Sequence, residues 1–250
     1  MKSKKKLYEE FHGTTKPLNR LPERNNFTYK QTFEFIEKHV LIDKKIRYRV
    51  LDIGCGAGQI SFFLASQQHE VTGIDISKKA IESCLKSKKK FRINNITFKS
   101  GDITSIKMKR KFDLVIMSEL IEHIENDEKL LTEVRKILSP RGKILITTPS
   151  KKAPLYRLGL LKEFDKRVGH IRRYDEKTLL NLIDKSELKV IKIKKNEGVL
   201  RNLLYTFRIC NIPLRIVNRI GVFGNIVTTI DKMTLRIFGE SDYFVLAQKK

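Results

Sequence analysis

The chain has 250 residues, with 52 lysines and arginines against 28 aspartates and glutamates, and a formal net charge of +24. This length allows one α/β domain with a substantial core and is too short for two such domains with linkers. The three cysteines, Cys55, Cys84 and Cys210, fit neither a disulfide framework nor a metal-binding motif, so no disulfide-linked partner is expected.

Hydropathy and charge restrict where the protein acts. No stretch of about 18 uninterrupted apolar residues occurs, and the basic N-terminus lacks the apolar run of a signal peptide. We therefore expect a cytoplasmic protein that is at most peripherally attached to a membrane. The charge favours nucleic acid, an anionic membrane or an acidic substrate as partner. The alternative is compositional, because an A/T-biased coding sequence also yields much Lys beside Ile and Asn.

From residue 49 to 148, short β-rich apolar runs alternate with helical stretches, which is typical of repeated βα units and a parallel sheet. Strands are predicted at residues 50–53, 71–74, 96–98, 112–117 and 143–148. Helices are predicted at residues 60–67 and at residues 128–138, where apolar residues recur at helical spacing. Pro140 and Gly142 are predicted to form the turn into the fifth strand.

After residue 149 a polar segment, residues 150–173, leads to a predicted helix at 175–186. Further strands are predicted at residues 188–193 and 243–247. Residues 199–238, between them, are rich in apolar residues and Arg and are predicted to form a helical cap. We expect a single domain with an N-terminal helical extension (1–47), a cofactor-binding core (48–194), the cap (195–240) and a final strand (241–250).

A glycine-rich loop follows the first strand. It reads Asp52-Ile53-Gly54-Cys55-Gly56-Ala57-Gly58. Glycines let the backbone approach a ligand closely, and the free amides at the start of the next helix point at that ligand. A dinucleotide-binding loop would have its third glycine at position 59, which is Gln59, so NAD is not the expected ligand. The Asp52 carboxylate suits a ligand that carries an ammonium group.

Polar residues also follow the next three strands. Asp75 closes the second strand about 20 residues after the loop, where a carboxylate can accept both hydroxyls of a ribose. Asp102, after the third strand, can accept a hydrogen bond from an adenine amino group. Ser118 and Glu119 follow the fourth strand, facing the crevice where open α/β sheets bind ligands. Each residue alone is equally a cap or turn residue, but their order favours one ligand site.

Five motifs of residues 48–194 are similar to those of the class I S-adenosylmethionine-dependent methyltransferases. They are residues 50–59, Gly73-Ile74-Asp75-Ile76, Gly101-Asp102-Ile103, Phe112-Asp113-Leu114-Val115 and Leu138-Ser139-Pro140-Arg141-Gly142. The resemblance implies a doubly wound, Rossmann-like α/β fold, with a mostly parallel seven-stranded sheet whose last strand is antiparallel, an N-terminal helix and the helical cap. It also implies direct methyl transfer from a sulfonium. The implied contacts of S-adenosylmethionine are Asp52, Gly54, Cys55, Gly56, Gly58, Asp75, Ile76, Asp102, Ile103 and Ser118.

The stretch Ser118-Glu119-Leu120-Ile121-Glu122-His123 resembles the E-x-x-E-H stretch of the ubiquinone-biosynthesis O-methyltransferases and of the small-RNA 2′-O-methyltransferases. The spacing would place Glu119, Glu122 and His123 on one face of a helical turn. We predict catalytic roles for Glu122 and His123, with neutral His123 as a general base.

The same face can instead hold Mg²⁺ or Mn²⁺ through Glu119, Glu122 and His123, with His170 as a fourth group. In both of those families the stretch is associated with metal. A third interpretation is a helix start with a carboxylate cap and a packed histidine.

Three further residues, His170, Arg172 and Arg173, are predicted to bind substrate. They precede a predicted helix beyond the fifth strand, on the side where the substrate should enter. Either arginine can clamp a carboxylate or a phosphate. The alternative is a salt bridge to a neighbouring acid, with Tyr174 packed beneath.

The placement of the basic residues separates the candidate partners. The clusters at residues 86–92 and 107–111 lead into the third and fourth strands, so we expect them opposite the active site, which disfavours nucleic acid. In the cap, Arg201, Arg208 and Arg215 recur every seven residues among apolar residues. This amphipathic pattern can cover an apolar substrate, contact an anionic membrane surface, or belong to ordinary core.

The sequence thus predicts a methyltransferase that acts on an oxygen of a small-molecule or lipid-linked acceptor. One alternative is an RNA 2′-O-methyltransferase or another nucleic-acid methyltransferase. The other is a protein that binds the cofactor without turnover.

Overall fold

The computed structural model describes residues 9, 16–24, 26–41, 43, 45–103, 108, 110–219 and 221–250. The strands are β1 (Arg49–Ile53), β2 (Glu70–Asp75), β3 (Ile96–Ser100), β4 (Phe112–Ser118), β5 (Leu138–Pro149), β6 (Leu188–Asn196) and β7 (Asp242–Lys249). They form one seven-stranded sheet in the order β3-β2-β1-β4-β5-β7-β6. Strand β7 is antiparallel to both of its neighbours, and the pairings among β1 to β5 are parallel, which confirms the predicted fold class.

The helices lie on both sides of this sheet. They are α1 (Lys30–His39), α2 (Gln59–Ser66), α3 (Lys78–Phe91), α4 (Asp127–Ile137), α5 (Pro154–Arg157), α6 (Lys162–Val168), α7 (Glu176–Lys185), α8 (Val199–Thr206), α9 (Asn211–Arg219) and α10 (Gly221–Phe238). Single 3₁₀ turns occur at Ile121–His123 and Arg208–Cys210.

The central strands are buried on both faces, as parallel sheets require. Val50, Leu51 and Ile53 of β1 are each at most 1% exposed. Val50 belongs to the core on the α1, α2 and α3 side, whereas Leu51 and Ile53 belong to the core on the α4 and α7 side. The polar ends of the strands are therefore the parts of the central sheet that can meet a ligand.

Two helix starts next to the sheet follow from local sequence. The Ser77 hydroxyl accepts the Ala80 amide at 3.2 Å and caps α3, and the Asp175 carboxylate accepts the Thr178 amide at 2.8 Å and caps α7. Helix α3 ends with Lys88, Lys89 and Lys90 in its last turn, at the sheet edge away from the strands' carboxyl ends. The other predicted basic cluster, residues 107–111, lies partly outside the described residues.

The predicted polar segment at residues 150–173 contains two helices that periodicity did not reveal, α5 and α6. Both are too short to display a repeating apolar face, and α6 has no fully buried residue. Strand β5 also begins earlier than predicted, because Leu138 pairs with Phe112 across an irregular register.

The predicted helical cap lies between β6 and β7 and consists of α8, α9 and α10. It packs around Phe27, Leu204 and Val217. Arg201 is fully buried there, with its guanidinium 3.9 Å from the Phe27 ring centre and Nη1 donating to the Phe27 carbonyl at 2.7 Å. Of the three interpretations of the arginines that recur every seven residues, Arg201 therefore agrees with the one in which they belong to ordinary core. Within the described ranges, no helix combines the length and apolar character that crossing a bilayer requires.

Candidate active site

A cavity of about 480 Å³ opens at the carboxyl ends of β1 to β4. This volume lies within the range of small-molecule and cofactor sites. Seven predicted site residues line it, namely Gly54, Asp75, Ile76, Asp102, Ile103, Glu119 and His123. Helix α4 and its N-cap residue close one side of the cavity, through Asn126, Lys129, Leu130 and Glu133. The structure therefore brings the ends of four strands around one ligand-sized space.

The glycine loop is shaped by backbone conformations that favour glycine. Gly54, Gly56 and Gly58 have φ values of 73°, 50° and 79°, in the left-handed region. The amides of Gly54 and Cys55 both donate to the Ile74 carbonyl, at 2.8 and 3.0 Å. A Cβ added to Gly54 would lie 3.1 Å from Cδ1 of Leu120, which also lines the cavity. The loop is a cradle that a larger residue would fill.

Asp75 is the carboxylate that reaches both the loop and the cavity. Its Oδ2 accepts the Gly56 amide and its Oδ1 accepts the Ser77 amide, each at 2.8 Å. Each carboxylate oxygen has a second lone pair, so both can still accept a ligand hydroxyl. The loop and the predicted ribose-binding carboxylate thus form one hydrogen-bonded unit.

Asp52 lies behind the loop and is 2% exposed. Its Oδ2 accepts the Ser61 hydroxyl at 2.6 Å. Burial, with a smaller contribution from the Asp75 charge, raises the pKa of Asp52 to about 6. The described walls of the cavity do not include Asp52, Cys55, Gly56, Gly58 or Ser118, so their predicted cofactor contacts stay predictions.

The turn after β4 differs from the predicted single helical face. Glu119 has a φ of 51° and precedes the 3₁₀ turn instead of belonging to it. Its amide donates to the Thr147 carbonyl at 3.1 Å, and its Oε1 accepts the Thr147 hydroxyl at 2.7 Å. The prediction that Glu119 shares a helical face with Glu122 and His123 was wrong, because β5 holds Glu119 apart from that turn.

Glu122, His123 and His170 form a cluster in which one ligand atom from each lies within 4.8 Å of the others. Glu122 is fully buried, and its Oε2 accepts the Thr148 hydroxyl at 3.0 Å. Its Oε1 has no hydrogen-bond partner among the residues that the structure describes. The Nε2 atoms of His123 and His170 each lie 3.8 Å from this Oε1.

Both imidazoles are oriented through their Nδ1 atoms. Nδ1 of His123 lies 3.0 Å from the Gly169 carbonyl, and Nδ1 of His170 lies 2.9 Å from Oδ1 of Asp165. Because a carbonyl and a carboxylate only accept hydrogen bonds, each Nδ1 carries the proton. In the neutral rings each Nε2 then presents a lone pair on the side of Glu122.

An ionised Glu122 facing two lone pairs is unfavourable in a buried place. Burial, together with the charge of Glu119, raises the pKa of Glu122 well above its ordinary value. A proton or a cation among the three groups relieves this conflict. One carboxylate oxygen and two imidazoles, oriented from behind by Gly169 and Asp165, fit a divalent cation.

The predicted substrate-binding arginines have internal partners. Arg173 is 4% exposed and binds both oxygens of Asp165, at 2.9 and 2.6 Å. Arg172 Nη1 donates to Asp127 at 2.5 Å, and the Tyr174 hydroxyl donates to the same oxygen at 2.5 Å. These contacts follow the salt-bridge alternative, and a direct substrate contact of either arginine stays a prediction.

Sequence reasoning missed Asp165, which joins Arg173 to His170. Burial alone would raise its pKa, but the hydrogen bonds from His170 and Arg173 hold the pKa of Asp165 below its ordinary value. An acidic residue five positions before His170 is visible in the sequence. That its side chain contacts His170 depends on α6 ending at Gly169, which the sequence did not predict.

Comparison with known proteins agrees with this geometry. A family profile described as a methyltransferase domain matches residues 44–199. A ubiquinone biosynthesis O-methyltransferase of Pelagibacter ubique is 29% identical over 214 residues, which cover 80% of this chain and 86% of that protein. A protein of the same name from Rickettsia canadensis is 31% identical over 115 residues, 46% of this chain and 48% of that protein.

Among solved structures, Haemonchus contortus phosphoethanolamine N-methyltransferase 2, in complex with S-adenosylhomocysteine, superposes with a TM-score of 0.63. Its sequence is 20% identical, and the match covers 88% of this chain and 52% of that one, so this likeness concerns the fold. The family match spans the whole region from β1 to β6 and shows the class of the protein. The chain belongs to the methyltransferase domain family and is an S-adenosylmethionine-dependent methyltransferase.

Proposed function

We propose that this enzyme methylates an oxygen of a small-molecule or lipid-linked acceptor, with His123 as the general base. The observation that carries the proposal is that His123 lines the same cavity as Gly54 and Asp75. A base directed by the Gly169 carbonyl thus stands beside the predicted cofactor cradle. The O-methyltransferase name of the Pelagibacter relative supports oxygen as the methylated atom.

The residues of the chain divide the work. The glycine cradle would bind S-adenosylmethionine and the Asp75 oxygens would accept its ribose hydroxyls, with Asp102 lining the same cavity. When bound, this cofactor would supply an electrophilic methyl group for the acceptor oxygen, with its sulfonium sulfur keeping the C–S electron pair. Nε2 of His123 takes the acceptor's proton, because Nδ1 already donates to Gly169.

The alternative to base catalysis is a divalent cation held by Glu122, His123 and His170, because Nε2 of His123 cannot both coordinate a cation and accept a proton. A bound cation lowers the pKa of a coordinated hydroxyl and so would assist deprotonation of the acceptor. The mixed oxygen and nitrogen donors suit Mn²⁺ better than Mg²⁺, which prefers oxygen ligands. Glu119 lies outside this group of three, so its predicted metal-ligand role stays a prediction.

Two experiments test the proposal. The first supplies labelled S-adenosylmethionine with separate small-molecule, lipid-extract and RNA fractions, and identifies the labelled product. Label on an oxygen of a small molecule or lipid supports the proposal. Label on RNA establishes the nucleic-acid alternative, and no transfer at all, with intact cofactor binding, establishes the non-catalytic one.

The second experiment compares His123→Ala with His39→Ala, a histidine of α1. We expect the former to lower turnover about a hundredfold or more with unchanged S-adenosylhomocysteine affinity, and the latter to leave turnover intact. If a cation is required, a chelator abolishes turnover, Mn²⁺ restores it, and Glu122→Ala and His170→Ala match the His123 variant. Full activity in a folded variant lacking both Glu122 and His123 contradicts the catalytic assignment.

A further inference from the structure

We infer that the outer face of α10, together with α9, is a docking surface for an anionic lipid bilayer. The face consists of apolar side chains that point away from the protein. On α10 these are Val222, Ile226, Ile230, Met233 and Ile237, between 45% and 70% exposed. The inference concerns where the enzyme lies and does not depend on which atom it methylates.

Helix α10 has its polarity reversed with respect to an ordinary surface helix. The outward residues follow one another at intervals of four, four, three and four, which is one continuous helical face. The inward face carries Gly224, Thr228 and Asp231, all buried. A helix on the surface of a soluble protein places its apolar stripe inward and its polar residues outward.

The reversal has a clear internal cause. Asp231 accepts the amides of Gly198 and Arg201, at 2.9 and 2.8 Å, and Thr228 accepts from the Arg201 guanidinium at 3.4 Å. The buried Arg201 therefore determines the polar side of α10. Nothing inside the described fold requires the opposite side to be apolar, so its apolar character points to an external contact.

Helix α9 and the preceding turn extend the apolar surface. Ile209, Ile212 and Ile216 are 86%, 68% and 45% exposed, and α9 packs against α10. The combined surface has the composition of interfacial helices, which insert apolar side chains at the boundary of headgroups and acyl chains.

The basic residues around this surface indicate that its binding partner is anionic. Residues 207–239 contain five basic residues and a single acidic one, Asp231, whose carboxylate is buried. Arg215, Lys232 and Arg236 are exposed on the same two helices. Basic residues beside an apolar face are attracted to negatively charged lipid headgroups. A second copy of the chain fits less well, because a twofold interface joins this patch to itself and would bring two equally basic surfaces together.

The cap is also connected to the helix that orients the candidate site. Nη2 of Arg167, on α6, donates to the Thr206 carbonyl at the end of α8, at 3.0 Å. The same α6 carries Asp165, which binds His170. The cap that carries the proposed docking face is therefore hydrogen-bonded, through α8, to the helix that holds Asp165.

Vesicle binding by the full chain tests the inference. We expect the protein to sediment with phosphatidylcholine vesicles that contain phosphatidylglycerol, and to bind far more weakly to phosphatidylcholine alone or in high salt. The pair Lys232→Gln and Arg236→Gln should lower affinity for the anionic vesicles about tenfold or more. The pair Ile226→Gln and Ile230→Gln should also lower it by at least about tenfold, through loss of apolar insertion.

The matched control is Leu85→Gln with Ile191→Gln, since both residues are 46% exposed but lie on α3 and β6. All variants should keep the wild-type circular dichroism spectrum, because the replaced side chains are already exposed. The inference is overturned if the wild type does not bind anionic vesicles, or if the control pair loses as much affinity as the Ile226 and Ile230 pair. It is also overturned if the protein is a dimer that only the Ile226 and Ile230 substitutions dissociate, because this face would then bind a second copy of the chain. Because S-adenosylhomocysteine binding is measured separately, loss of lipid binding leaves the methyltransferase assignment unaffected.

Discussion

Nε2 of His170 lies 3.8 Å from Oε1 of Glu122, and this oxygen accepts no hydrogen bond within the described part of the chain. The distance is too long for a direct hydrogen bond and short enough for both atoms to share a third group. His123 approaches the same oxygen at the same distance. The spacing of the cluster therefore suits a cation shared among its three members, whereas a proton would belong to one of them alone.

Replacing Asp165 by Asn should lower the affinity of this cluster for a divalent cation. Nδ1 of His170 would lose its carboxylate acceptor, and loss of such an orienting partner typically lowers metal affinity by about 10- to 100-fold. Asp127→Asn is the matched control, because Asp127 also binds an arginine but does not contact His170. Titration calorimetry with Mn²⁺ measures the difference. Equal Mn²⁺ affinity in the two variants would show that Asp165 serves only Arg173.

Gly54→Ala should reduce S-adenosylhomocysteine affinity far more than Gly159→Ala. The two glycines have nearly the same φ, 73° and 74°, so the backbone strain of the substitution is shared. A Cβ at Gly54 meets Leu120 at 3.1 Å beside the cavity, whereas a Cβ at Gly159 meets nothing within 4 Å. Calorimetry should show a loss of about tenfold or more for Gly54→Ala alone. If both variants lost similar affinity, the loss would be due to backbone strain and not to filling of the cradle.

Asp52→Asn should change the pH dependence of stability. The folded-state pKa of Asp52 is about 6 against an ordinary value of 3.8, so the folded protein binds this proton more tightly. The associated stability is present below pH 3.8 and is lost as the pH rises through 6, amounting to roughly 3 kcal/mol. Asn does not ionise and still accepts the Ser61 hydroxyl. In urea unfolding, the variant should therefore have a higher free energy of unfolding than the wild type at pH 8 and nearly the same one near pH 4. An equal difference at both pH values would contradict the raised pKa of Asp52.

Replacing Lys86 and Lys89 by Gln should leave turnover on the true acceptor nearly unchanged, apart from general salt effects. Both side chains are exposed near the end of α3, away from the cavity at the strands' carboxyl ends. Lys90 is kept, because its Nζ donates to the Asn19 carbonyl at 3.0 Å. A collapse of turnover with steep salt dependence would favour a polyanionic acceptor and the nucleic-acid alternative.

The sequence by itself determined the sheet and its cofactor side. Glycines between a strand and a helix, and carboxylates at successive strand ends, are local patterns, and parallel strands bring their carboxyl ends to one edge. For this reason Gly54, Asp75 and Asp102 were predicted and line one cavity. The strand boundaries were predicted to within a few residues wherever the apolar run was long enough to be distinguished.

Tertiary structure decided what the polar side chains contact. Spacing alone placed Glu119 with Glu122 and His123, but Thr147 on β5 binds Glu119 and leaves His170 as the third member of the cluster. The roles of Arg201 and of α10 were decided in the same way. A helical period shows that a helix has two faces, but only the packed partners, here Arg201 against Asp231 and Phe27, determine which face is turned outward.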